Sequence, residues 1–323
     1  MTLPAVEATP RNLHYGEFYG LTDPVPTAEP AGRPLLVVHG NCQAESLRVL
    51  LDGRYGDRIR TIRLVPAHEL VADDVPHLMR VLAQADYLVT QPVVDGYRGL
   101  PVGTDELLAA APHLRSTIVP VMRWAGLHPS QVIVRTPAGE PPIVPYHDLR
   151  VIAACRRARA DAARVTSADL PQLDERAVTA LRDASLAELT RRIEAHGAVD
   201  IRDALARPGR RSVHVINHPT NDVLVEVADL IATALDLGEP REYGPGRTLL
   251  GALVAPMDAR AAALAQVAMS DDDAARTWQV RGRSVSEDEI VAAHAAWYAE
   301  HPQALADAVR RHAALLEIVD GGV

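Results

Sequence analysis

From Pro34 onward, short unbroken apolar runs alternate with longer stretches whose apolar residues recur every three or four positions. The runs are LLVVH (35–39), IRTIRLV (59–65), YLVTQ (87–91), STIVPV (116–121) and SVHVIN (212–217). Runs of this length, bounded by turn residues, predict buried strands. Between them, amphipathic spacing predicts helices over 43–51, closed by Gly53, over 74–83 and over 104–110, with Thr104 as its cap. Alternation of this kind predicts an α/β fold: a parallel sheet with helices on both faces. Ligands in such sheets bind at the carboxyl ends of the strands, so those ends are where chemistry is sought.

Outside the alternation the pattern changes. Residues 1–33 are proline-rich and predict an extended arm, anchored by Tyr15, Phe18 and Tyr19. A domain over 34–240 follows, interrupted by a helical insertion at about 146–206 with a capping box at Ser185 and Glu188. After the last strand one amphipathic helix is predicted, with Pro219 in its first turn and Gly238 at its end. Residues 241–323 predict a C-terminal helical region packed on the core, with a second capping box at Ser286 and Glu289. SDDDAARTW within it reads as a solvated loop and helix start.

Composition narrows the chemistry. The 323 residues are 48% apolar, enough for a large core, yet Phe18 is the single phenylalanine. A net charge of −9 without a basic run argues against nucleic-acid binding. All 33 basic residues are arginine, which excludes lysine Schiff bases and a lysine-bearing P-loop and leaves phosphate binding to guanidinium groups. No apolar run reaches the ~18 residues of a membrane span, and the start lacks signal-peptide features, so a cytoplasmic protein is expected. Cys42 and Cys155 are too few for a disulfide framework.

Three strand ends carry the candidate chemistry. In VVHGNCQAES, Gly40 permits a tight turn and Cys42 falls at a helix N-terminus, where amides and the helix dipole favour a thiolate. The arrangement resembles a nucleophile elbow with cysteine in place of serine. A small buried thiol closing a turn is the alternative. In INHPTND, the positive end of the next helix would keep His218 a neutral base, and Asn217, Thr220 or Asn221 would cap the helix or orient the ring. Turns on parallel strands would bring Cys42 and His218 within reach of each other. In QPVVDGYRGLPVGTDEL, Gln91 could donate a hydrogen bond into the same crevice and Arg98 could hold a phosphate or carboxylate. Arg123, Arg210 and Arg211 could meet phosphates, Cys155 is packing, and Tyr146 either lines a substrate entrance or packs with its hydroxyl bonded. His39 and Cys42 have metal-ligand spacing, but no further ligands complete a zinc site, so no metal is expected.

Taken as an ordered set, GNCQAESL, YLVTQPVVDGYRG and NHPTN resemble the WcbI-type polysaccharide biosynthesis family, acetyltransferases of capsular sugars, over roughly 34–238. The resemblance implies a cradle-like fold on an SGNH- or flavodoxin-like core, coenzyme A or acetyl-CoA as acyl donor, and a saccharide or other small-molecule acceptor. It places Cys42 and His218 in the active site, with Asn41, Gln43, Gln91 and Asn221 in support. The remaining candidates for cofactor contact are His39, Gly40, Arg98, Arg123, Asn217 and Thr220. Acyl transfer, of acetyl in the first instance, is therefore the leading expectation; a cysteine-based SGNH-like thioesterase or esterase and a non-catalytic coenzyme A-binding module are the alternatives.

Overall fold

A computed structural model describes residues 6–22 and 32–321. The chain divides into two compact units, each drawing on three stretches: 1–122, 191–204 and 221–249 in the first, 123–190, 205–220 and 250–323 in the second.

The first unit opens with α1 (Pro10–His14) and α2 (Gly16–Tyr19), so the described part of the arm is helical where extended chain was expected. Thr9 caps α1 and Pro10 opens it, which is why the proline does not prevent a helix. Phe18 and Tyr19 are buried as anchors, while residues 1–5 and 23–31 of the arm lie outside those described. Then come β1 (Leu35–His39), α3 (Cys42–Tyr55), β2 (Arg60–Ile62), α4 (Val75–Gln84), β3 (Tyr87–Thr90), α5 (Thr104–Ala110) and β4 (Arg115–Ile118). The four strands form one parallel sheet in the order β2-β1-β3-β4, with Val37 opposite Leu88 and Val89 opposite Thr117. Leu35 and Val37 of β1 pack with Leu78, Val81 and Leu82 of α4, and the alternating pleat turns Leu36 and Val38 the other way. The helix predicted to stop at Gly53 continues to Tyr55; glycine at 53 admits the Tyr243 ring, which a Cβ there would approach to 2.3 Å.

The second unit starts with β5 (Gln131–Val132) and β6 (His147–Asp148), paired antiparallel, followed by α6 (Leu149–Ala158) and the part of α7 (Glu175–His196) up to Thr190. Ser185 lies inside α7 rather than at a cap; its hydroxyl accepts the Ala125 N–H at 2.9 Å. After α8 (Arg202–Ala206), β7 (Val213–Val215) turns back through Ile216 and Asn217 into β8 (His218–Pro219). The expected fifth parallel strand is thus one arm of an antiparallel hairpin. The chain returns to the first unit as α9 (Asn221–Leu235), which packs on α3 and β4. Arg54 of α3 forms a bidentate pair with Asp229 of α9 at 2.8 Å.

The last stretch, expected to be all helical, contains a three-stranded antiparallel sheet of β9 (Leu253–Val254), β10 (Thr277–Val280) and β11 (Arg283–Ser286). Arg281 and Gly282 between β10 and β11 both have positive φ, the geometry of a two-residue hairpin turn. Short helices α10 (Ala259–Leu264) and α11 (Asp271–Ala274) precede the hairpin, and α12 (Glu287–Glu300), α13 (Pro302–Arg311) and α14 (Ala313–Val319) follow it. Ser286 caps α12 as the pattern predicts. Asp273 of the acidic run is not solvated; it is buried and accepts the Met257 N–H at 2.8 Å. Among the described residues no helix is long and apolar enough to cross a membrane.

Candidate functional site

The strand order puts the change of winding direction between β1 and β3, the crevice where such sheets bind ligands. The turn after β1 and the residue after β3 meet there. Gln91 donates its backbone N–H to the His39 carbonyl at 2.9 Å, and its side chain crosses to the turn after Gly40. Glycine is required at that point: a Cβ on residue 40 would lie 2.4 Å from Gln91 Oε1. Gln91 Oε1 accepts the Asn41 N–H at 2.9 Å, and Gln91 Nε2 donates to Gln43 Oε1 at 2.8 Å. Gln43 Oε1 also accepts the Met122 N–H at 3.0 Å, while Gln43 Nε2 donates to the Met122 carbonyl at 2.7 Å. Both glutamines are buried. Neither amide points into open space, so the donor expected from Gln91 is occupied and serves to brace the turn.

On this brace Asn41 caps α3, its Oδ1 accepting the Gln43 N–H at 2.9 Å, and Cys42 is the first helical residue. Cys42 is exposed. Partial burial of the group raises the thiol pKa above its ordinary value, outweighing the backbone amides of Cys42 and Gln43 at the helix start, which pull it down. The thiolate expected from the helix end alone is therefore not the resting form, because partial loss of solvent around the thiol opposes the charge more than the helix start favours it.

The other predicted residues of the first unit stand as follows. His39 is buried within β1, its Nε2 3.3 Å from the Val102 carbonyl, and burial lowers its pKa to about 4, so it is a neutral core residue rather than a cofactor contact. Arg98 is exposed, adopts φ 56°, and donates to the His68 carbonyl. Thr104 does not cap α5, which Gly103 precedes; its hydroxyl accepts the Val93 N–H at 2.9 Å and closes the loop after Gln91. Asn221 uses both ends of its amide on the first unit, with Nδ2 on the Arg247 carbonyl and Oδ1 on the Leu249 N–H, each at 2.8 Å.

His218 belongs to the second unit, so Cys42 and His218 sit in different units. It lies in β8, ahead of α9 rather than in its first turn. Burial, not a helix end, holds its imidazole neutral by lowering its pKa, against a Leu250 carbonyl that favours the charged ring. Tyr146 donates its hydroxyl to Asn217 Oδ1 at 2.6 Å and stands 3.5 Å from His218 Nε2. Thr220 turns its hydroxyl to the Arg211 carbonyl at 3.2 Å. Arg123 is half-buried and has its pKa lowered by burial and by Arg135 and Arg311, with Glu188 opposing.

Sequence reasoning missed the backbone of Met122 as the anchor of Gln43 and the pairing of Tyr146 with Asn217, partners 79 and 71 positions apart. No local signal marks either pair. A cavity of about 40 Å³ in the second unit, bounded by Tyr146, His128, His147 and His294, has room for about two or three waters and for no nucleotide or sugar. Among the described residues no group of three or more histidine, cysteine or carboxylate side chains could hold a metal ion.

Comparison with known proteins adds to this geometry. The family model of the polysaccharide biosynthesis enzyme WcbI matches residues 35–240. The solved structure of WcbI is similar, with a TM-score of 0.68 and 20% identity over 89% of this chain and 99% of that one. That protein is described as a novel polysaccharide biosynthesis enzyme, in its native form without a disulfide bond between coenzyme A and one of its cysteines. No curated protein matches.

Proposed function

Because this chain belongs to the family of the polysaccharide biosynthesis enzyme WcbI, we propose that it moves an acyl group, acetyl in the simplest case, from coenzyme A to a hydroxyl or amine of a saccharide acceptor. The observation that carries the reading is Cys42: an exposed thiol at the first position of α3, over two backbone amides, on a turn braced by buried amides. Such a turn suits a thioester, since the positive start of α3 at Cys42 can stabilise a carbonyl oxygen as it gains charge. That the structurally similar WcbI is described with reference to a coenzyme A–cysteine disulfide, absent from its native form, supports the choice of donor.

Two routes balance. In one, Cys42 Sγ loses its proton and attacks the thioester carbonyl, coenzyme A leaves as the thiol, and the acceptor then attacks the acyl-cysteine. In the other, the acceptor oxygen or nitrogen attacks the thioester carbonyl directly while Cys42 holds it in place, the thioester C–S bond breaks and coenzyme A leaves as the thiol. In both, we assign to His218 the removal of the acceptor's proton, a role that a ring kept neutral at pH 7 can fill. The raised thiol pKa favours the second route, because little thiolate is present at rest. The exposure of Cys42 favours hydrolysis as a second reading when no acceptor is present.

Incubation with acetyl-CoA, with and without monosaccharide acceptors, tests the proposal. Coenzyme A release stimulated by an acceptor is expected, falling about 100-fold in His218→Ala. Intact mass of Cys42→Ser and of the parent protein separates the routes, an added acetyl group marking the first. Turnover unaffected by both Cys42→Ala and His218→Ala would refute the proposal.

A further inference from the structure

The polar surroundings of His218 go beyond what proton removal by an isolated ring requires. Its Nε2 faces Tyr146 Oη at 3.5 Å, and the two rings meet edge to face with centroids 6.2 Å apart. A phenol has one proton, and that of Tyr146 lies on the 2.6 Å bond to Asn217 Oδ1. What the oxygen presents to His218 is therefore a lone pair. Against a neutral Nε2 this is a weak, lone-pair-to-lone-pair approach; against an Nε2–H it is a hydrogen bond. The Leu250 carbonyl adds a second acceptor beside the same ring.

Backbone that L-residues rarely adopt occurs at one acceptor and three residues before the other. Leu250 has φ 54°. Three residues before Tyr146, Ile143 has φ 72° and the Val144 N–H bonds back to the Pro142 carbonyl at 2.9 Å, a three-residue turn centred on a β-branched residue. The buried His294 holds the same Pro142 carbonyl with Nε2 at 3.2 Å. Strained backbone persists where surrounding structure over-determines it, and it concentrates at functional sites.

We infer that Tyr146 is a positioning residue for His218: anchored on Asn217, its hydroxyl oxygen receives the Nε2–H of the imidazolium formed when His218 takes a proton. The inference rests on the assignment of His218 as the base. Asn217 then orients the phenol rather than capping a helix, and the hairpin turn between β7 and β8 exists to put Asn217 and His218 against one tyrosine. The other titratable group facing the ring is His214 on β7, itself beside Arg211. Burial, Arg211 and His218 lower the His214 pKa to about 4, and both neighbours stay in place in every variant considered below.

NMR titration of the His218 ring in the full chain provides the test. Tyr146→Phe removes the acceptor, so the His218 midpoint falls, by about half a pH unit or more. Asn217→Ala frees the phenolic proton to bond the neutral ring, so the midpoint falls again without disturbing the tyrosine. A merely structural role would loosen packing, relieve burial and move the midpoint upward toward 6.5; an upward shift or no shift in both variants overturns the inference. Acetyl-CoA turnover is a separate readout. If turnover is absent while both midpoints fall, the acyl-transfer proposal fails and the pairing stands.

Discussion

The two units solve the problem of buried polarity in different ways. In the first, the polar groups beneath the sheet's carboxyl end are neutral amides: Asn41, Gln43 and Gln91 satisfy one another and the Met122 backbone, and none of them titrates. In the second, the buried polar groups are imidazoles and ions. His128, His147 and His294 line one small cavity, and Arg150 joins Asp148 and Glu287 at 2.6 and 2.7 Å. Amides give a rigid frame indifferent to pH, as a turn that presents a thiol requires. Imidazoles give a frame that can exchange protons, at the cost of sensitivity to acid.

Acid should separate the units most strongly. His128 and His147 have pKa values lowered to about 3 and His294 to about 4, all by burial. In the unfolded chain these rings titrate near 6.5, so between those values the unfolded state binds protons that the folded state refuses, and stability falls as pH falls below 6.5. Each ring contributes a loss of about 2 kcal/mol by pH 5. The first unit holds His39, lowered to about 4, and His77, lowered in the same direction. Hydrogen exchange at pH 7 and pH 5 should show the larger loss of protection in the second unit; equal losses in both would break the comparison.

Within the first unit, the amide brace is expected to matter more than the cap it supports. Gln91→Leu leaves the Asn41 N–H and one donor–acceptor link to Gln43 unmet in a buried place, and should lower stability by about 2 kcal/mol in urea unfolding. An unchanged midpoint would mean the brace contributes nothing. The smallest effect is expected from Asn41→Ala, about 1 kcal/mol by the same measurement, since it removes one capping bond to the Gln43 N–H. A larger loss than Gln91→Leu would reverse the order.

Legibility differed between the units for the same reason. The four parallel strands, α5 and the start of α3 fall within a few residues of their predicted places, because each is marked by a local apolar run or by a capping residue beside it. The position of Cys42 at a helix start was equally local. The fifth run, SVHVIN, was as apolar as the others, yet it folds back on His218 and Pro219. An apolar run reports that a strand is buried; it does not report which partner buries it.

The sequence alone therefore determined the class of fold, the turn that carries Cys42 and the residue types available for chemistry, because propensity, capping and chain composition act over a few residues. Only the tertiary structure decided what those residues do. Gln91 and Gln43 meet across 48 positions, Tyr146 and His218 across 72, and the packing around Cys42 reverses the shift that its helix end would impose. Hydrogen-bond partners and desolvation depend on distance in space, and the order of the chain does not encode that distance locally.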